Sequence, residues 1–191
     1  MIMALAGVSY AGQGIYLNMK ATLAQYLLHE AWIESKHKGQ GVPPWPWADT
    51  KPLARLDFIQ QGQSYIILEG ASGRSLAFAP GHLPGSALPG TQGHIIISAH
   101  RDTHFSALQN FSEETIFTLE DLSSNKYYYQ VQEIRIVDTR ETPLFLEPEK
   151  GLLTLLTCFP FDAINAGSPY RYRVDAILLD SFAANNPVHQ L

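Results

Sequence analysis

Cysteine is almost missing from this chain: its 191 residues contain one, Cys158. An internal disulfide and any metal site built from several cysteines are therefore excluded, and the sulfur is either buried filler or a reagent. Positive charge is also sparse. The 13 Lys and Arg residues against 18 Asp and Glu leave a formal charge of −5, with no basic stripe that would make nucleic acid the partner. Residues 1–19 hold no charge at all, and they lack the basic leader of a signal peptide. A spanning helix needs about 20 predominantly apolar residues, whereas Ser9, Gln13, Asn18 and three glycines interrupt this stretch. Two readings stay open for it: a weak or shortened membrane anchor, or a helix packed on the domain.

What is present suits one domain with a well-formed core, at 46% hydrophobic and 16% charged residues. From Tyr16 to Lys38 the apolar residues Met19, Leu23, Tyr26, Leu27 and Ala31 recur at three- and four-residue intervals, which predicts an amphipathic helix. Gly39 and Gly41 stop it, and Val42-Pro43-Pro44-Trp45-Pro46-Trp47 reads as a stiff linker. We therefore divide the chain into an N-terminal segment 1–38, a linker 39–50, a catalytic domain 51–182 and a tail 183–191. Within the domain, strands are expected at 53–60, 65–68, 94–100, 115–119, 126–138, 152–158 and 170–180, with a short helix near 71–78. The run from Pro80 to Gly90 has too many prolines and glycines for either state and reads as a loop. Many strands, few helices and frequent turns make this a mainly β protein, a mixed or antiparallel barrel.

Three strand ends carry the chemistry. Cys158 ends the apolar run Leu152-Leu153-Thr154-Leu155-Leu156-Thr157 just before Phe159-Pro160. His100 ends the strand His94-Ile95-Ile96-Ile97-Ser98-Ala99, although His94 and His104 share its neighbourhood and composition does not choose among them. In the last strand Tyr172, Val174, Ala176 and Leu178 alternate with Arg171, Arg173 and Asp175, so both arginines are expected to point outward side by side. A cysteine attacks as thiolate and needs a cation nearby, an imidazole can pass a proton to a leaving amine, and a guanidinium can clamp an oxyanion. Asp102 is placed to orient His100 or to cap a turn.

Together these segments resemble the sortases, the cysteine transpeptidases that attach proteins to cell surfaces. The resemblance rests on Ser98-Ala99-His100-Arg101-Asp102-Thr103-His104-Phe105, on Leu156-Thr157-Cys158-Phe159-Pro160-Phe161 and on Pro169-Tyr170-Arg171-Tyr172-Arg173-Val174, in that order. Cys-Phe-Pro-Phe-Asp and the Trp-Pro-Trp-Ala-Asp linker look most like sortases of Gram-negative bacteria, near class D. The resemblance implies an eight-stranded β-barrel with short helices, Cys158 as nucleophile, His100 as acid and base, and Arg171 as the oxyanion-steadying arginine. It further implies substrate contacts from Ala99, Thr157 and Arg173, and neither metal nor cofactor. The substrate would be an LPXTG-like sorting signal cut between Thr and Gly, and the acceptor an amine. Such an enzyme would sit at the inner membrane with its catalytic domain on the periplasmic side. Two alternatives remain: the same acyl-enzyme resolved by water, and a non-catalytic peptide-binding barrel.

Overall fold

A computed structural model describes residues 2–141, 146, 151–163 and 167–179. It contains a long helix, α1 (Ile2–Lys38), followed by β1 (Pro52–Phe58), β2 (Gln63–Glu69), a short helix α2 (Gly73–Leu76), β3 (Gly81–His82), β4 (His94–Ser98), β5 (Ile116–Asp121), β6 (Lys126–Asp138), β7 (Leu152–Cys158) and β8 (Tyr170–Leu178). The eight strands close into a barrel in the order β1-β2-β3-β4-β7-β8-β6-β5. The tail expected at 183–191 lies outside the described residues.

Strand phase is fixed by what fills the barrel. Leu56, Phe58, Ile95, Ile97, Phe117, Leu119, Leu153, Leu155, Val174 and Ala176 form one buried cluster. Burying each Leu, Ile or Phe side chain stabilises by about 1.5–3 kcal/mol. A one-residue slip of any strand would turn its whole inward set to water. The alternate positions, among them Cys158, Arg171 and Arg173, are thereby committed to the outer face.

Two pairings are parallel, β2 with β3 and β4 with β7, and the rest are antiparallel, so the barrel is mixed. The stretch from Pro80 to Gly90 is not wholly loop, because Gly81 and His82 pair with Ser98 and Ile97 of β4. Glycine is required at 81, where a Cβ would sit 2.2 Å from the carbonyl oxygen of Gly70. That constraint, invisible to periodicity, is why a two-residue strand hides in a Pro/Gly-rich run.

Of the expected stripe Met19, Leu23, Tyr26, Leu27 and Ala31, only Ala31 is buried, while Leu27 is half-buried and Met19, Leu23 and Tyr26 are exposed. The helix docks on β1 and β2 through Ala24, Leu28, Ala31, Trp32 and Ser35. Small residues at 24 and 31 let the helix approach closely, and Lys36 on the same side pairs with the buried Glu120 of β5. Glu120 also meets Arg55. The linker is docked rather than free, since Trp45 packs edge-on against Phe78 with centroids 5.3 Å apart.

Candidate active site

The site is assembled by register. Cys158 of β7 lies directly opposite Arg171 of β8. On the other side of β7, β4 runs parallel with His94 level with Leu152 and Ser98 level with Leu156. The same offset carries His100 level with Cys158. Two hydrogen bonds hold this alignment past the strand end: the Ala99 N–H donates to the Leu156 carbonyl at 3.2 Å, and the Thr157 hydroxyl donates to the Ala99 carbonyl at 2.7 Å. Ala99 packs in the core cluster, so its neighbour His100 takes the outer phase and is exposed. Cys158 and Arg171 therefore stand opposite each other in adjacent strands, and His100 follows two residues past the end of β4 at the level of Cys158.

Cys158 is half-buried. In the chain beside it Phe159, Phe161 and Tyr172 form an aromatic group, Phe161 meeting Tyr172 edge-on at 5.0 Å and Phe159 stacking over Tyr172 at 6.2 Å, with Phe161 and Tyr172 packed against the barrel core. The Phe-Pro-Phe run after the cysteine was the available signal for it. The Arg171 guanidinium is half-buried and steered by the chain: its Nη1 donates to the carbonyls of Ser168 at 2.6 Å and Tyr170 at 2.9 Å. No described residue accepts from its Nε or Nη2, which leaves a donor pair for a ligand on that face.

Three sequence-derived positions take different environments from those expected. Arg173 shares the outer face with Arg171 but is not solvated. It is buried, and its Nε donates to Asp175 at 2.8 Å. Asp175 also accepts from Thr154 and from Arg135, and Thr154 in turn bonds the buried His94. A charge taken out of water must be paired, and Asp175 provides that pairing, so Arg173 belongs to a buried network. Ala99 and Thr157 face the barrel interior, because core packing sets their phase. Their side chains are buried, which confines any substrate contact there to backbone atoms.

The histidines separate by place. His94 bonds Thr154, four residues before Cys158 and so roughly 13 Å down the strand. His104 sits edge-on to Tyr65 at 5.6 Å, and burial lowers its pKa from the ordinary 6.5. Asp102 is exposed, and its charge acts on His104. No described residue hydrogen-bonds the His100 ring, so an orienting role for Asp102 finds no contact. No group of three or more His, Cys, Asp or Glu side chains able to hold a metal occurs among the described residues.

Comparison with known proteins points to one family. The family described as Sortase domain matches residues 59–178. Sortase D of Bacillus subtilis (strain 168) is 34% identical over 107 residues, 56% of this chain and 53% of that protein. The match thus spans about half the length of that relative. Among solved structures, sortase A from Corynebacterium diphtheriae superposes with a TM-score of 0.60 at 27% identity, covering 75% of this chain and 66% of that one. The catalytic domain of B. anthracis SrtD gives a TM-score of 0.56 at 31% identity, covering 67% and 87%. The relative in Bacillus is Gram-positive, so the expected likeness to Gram-negative sortases gains no support, while nearness to sortase D does. Family profile and barrel architecture agree, and the chain belongs to the sortase family.

Proposed function

We propose that this chain is a cysteine transpeptidase acting on a C-terminal sorting signal of the LPXTG type. The Cys158 thiolate attacks the carbonyl carbon of the Thr–Gly bond, and the oxyanion that forms faces the open donors of Arg171. As the C–N bond breaks, His100 gives a proton to the departing amine, leaving a thioester on Cys158. An incoming amine attacks that thioester, His100 takes its proton, and the thiolate leaves. The single observation that carries this reading is the pairing of Cys158 with Arg171 on adjacent strands, with His100 level with Cys158 two residues past the end of β4. A nucleophile, proton carrier and oxyanion clamp on rigid elements are what acyl transfer requires.

The site sits on an enzyme we place at the cell membrane, with the barrel on the extracytoplasmic side. Support comes from α1. Its described side chains from Gly12 to Leu23 are all exposed, and the sequence stays uncharged to residue 19. Among the described side chains of α1 the first buried one is Ala24, and roughly 33 Å of helix precedes it. Among the described residues no helix is long and apolar enough to cross a membrane, so the association we propose is a surface one or one shared with other segments.

Incubation with a library of LPXTG-like peptides, followed by mass spectrometry, tests the chemistry. An acyl adduct on Cys158, converted to a ligated product only when an amine is added, is the expected result. An adduct released equally fast without amine would make the enzyme an endopeptidase. No adduct with any peptide would favour the non-catalytic barrel.

A further inference from the structure

His100 stands just past the end of β4, in a turn that the strand ladder no longer holds. The turn is nevertheless fixed at both of its shoulders to the chain that carries Cys158. On one side the Thr157 hydroxyl grips the Ala99 carbonyl at 2.7 Å. On the other, the half-buried Arg101 reaches across and donates from Nη2 to the carbonyl of Ala163 at 2.7 Å. Ala163 lies five residues past Cys158, in the loop leading to β8. Within the turn, the Phe105 N–H donates to the His100 carbonyl at 3.0 Å.

From this geometry we infer that Arg101 is a positioning residue: it clasps the loop after Cys158 and so sets the imidazole of His100 against the thiol. The inference rests on the transpeptidase reading of the site. Arg101 is adjacent in sequence to His100, and its guanidinium bonds the loop backbone at Ala163. Its role is therefore geometric. A charge-assisted bond from a planar guanidinium to a carbonyl is stronger and more directional than a neutral one. That is what a turn beyond its last ladder bond needs. The β7–β8 loop and the His100 turn come from distant parts of the chain, and this bond joins them on the side away from Thr157. Displacing a catalytic group by about 1 Å can cost about 100-fold in rate, so a clasp of this kind acts on turnover and leaves substrate affinity alone.

The test uses the full chain and its single cysteine. Iodoacetamide alkylation of Cys158, followed by intact mass from pH 5 to 9, reports the thiol's electrostatic environment without any sorting peptide. His100→Ala sets the profile of a thiol without its imidazole. Arg101→Gln should move the wild-type profile most of the way to that of His100→Ala, and Arg101→Lys should lie between them. In the double variant His100→Ala/Arg101→Gln the arginine change should add nothing, since Arg101 acts through His100. With a turnover assay in hand, Arg101→Gln should lose about 10- to 100-fold in kcat with KM little changed. A wild-type profile in Arg101→Gln overturns the clasp, whether or not its melting temperature falls. An additional shift in the double variant overturns it too. If His100→Ala itself leaves the wild-type profile intact, the reading of the site fails first, and the clasp with it.

Discussion

Cys158 and Arg171 are cross-strand partners, one residue opposite the other where β7 and β8 meet the loop between them. Such partners have Cβ atoms about 4.5–5.5 Å apart. The guanidinium is thus delivered to the thiol by the ladder itself, before any side-chain contact is formed. Arg173, two residues on, pairs instead with Leu156 and lies one row farther down the face.

That difference of one row gives opposite outcomes for two neighbouring arginines. Arg171→Ala should lower turnover by about 10²–10³-fold, the usual loss for one oxyanion donor, with a small change in melting temperature. Arg171→Lys should also be poor, because a point charge lacks the forked donors. Arg173→Ala strips the buried Asp175 of one partner, and breaking such a pair costs about 3–5 kcal/mol. Parallel kinetics and thermal melts on the two variants check this: the first should fail in rate, the second in stability.

Cys158→Ala should abolish both cleavage and transfer and leave the fold unchanged. The residue is at the end of its strand and only half-buried, so the truncation opens little cavity. Peptide cleavage by this variant, free of contaminating protease, would remove the cysteine mechanism.

His100→Ala should cost at least the 10²–10⁴-fold typical of lost acid–base catalysis. His94→Ala should act on stability instead, since it leaves the Thr154 hydroxyl short of a buried partner. Comparison of kcat and melting temperature separates the two.

His104 should make the fold acid-sensitive. Its pKa in the folded chain lies below 6.5 because burial disfavours the charged ring. The unfolded chain then takes up this proton more readily, so the stability is fully present above pH 6.5 and is lost as pH falls through the folded pKa. Melting temperature against pH for wild type and His104→Gln should diverge from the neutral side downward, with the wild type falling more steeply.

Removing residues 1–20 should leave melting temperature and catalysis unchanged, because among the described side chains of α1 the first buried one is Ala24. A chain beginning at Gly41 should be markedly less stable. It loses Leu28, whose burial alone is worth about 1.5–3 kcal/mol, and leaves Glu120 without Lys36. Co-sedimentation of the full chain with anionic lipid vesicles, lost on removing residues 1–20, is the expected membrane result.

The sequence by itself carried much of the barrel and named its candidate reactive groups. Period-two alternation in Tyr172, Val174, Ala176 and Leu178 placed Arg171 on the outer face, because side-chain direction in a strand is a local property. A solitary cysteine before Phe-Pro needed no partner to be noticed. Three-dimensional packing decided the rest. Among three histidines of equal local promise, the parallel pairing of β4 with β7 brings His100 level with Cys158, and pairing joins residues about 58 apart that no window of sequence relates. Arg173 looked like a second surface arginine until Asp175, Thr154 and His94 closed around it, because burial depends on what covers a face and not on which face it is. The face of α1 that docks, Ala24, Leu28, Ala31 and Trp32, shares only Ala31 with the stripe read from the sequence, and it is fixed by contact with β1 and β2 and by the reach of Lys36 to Glu120.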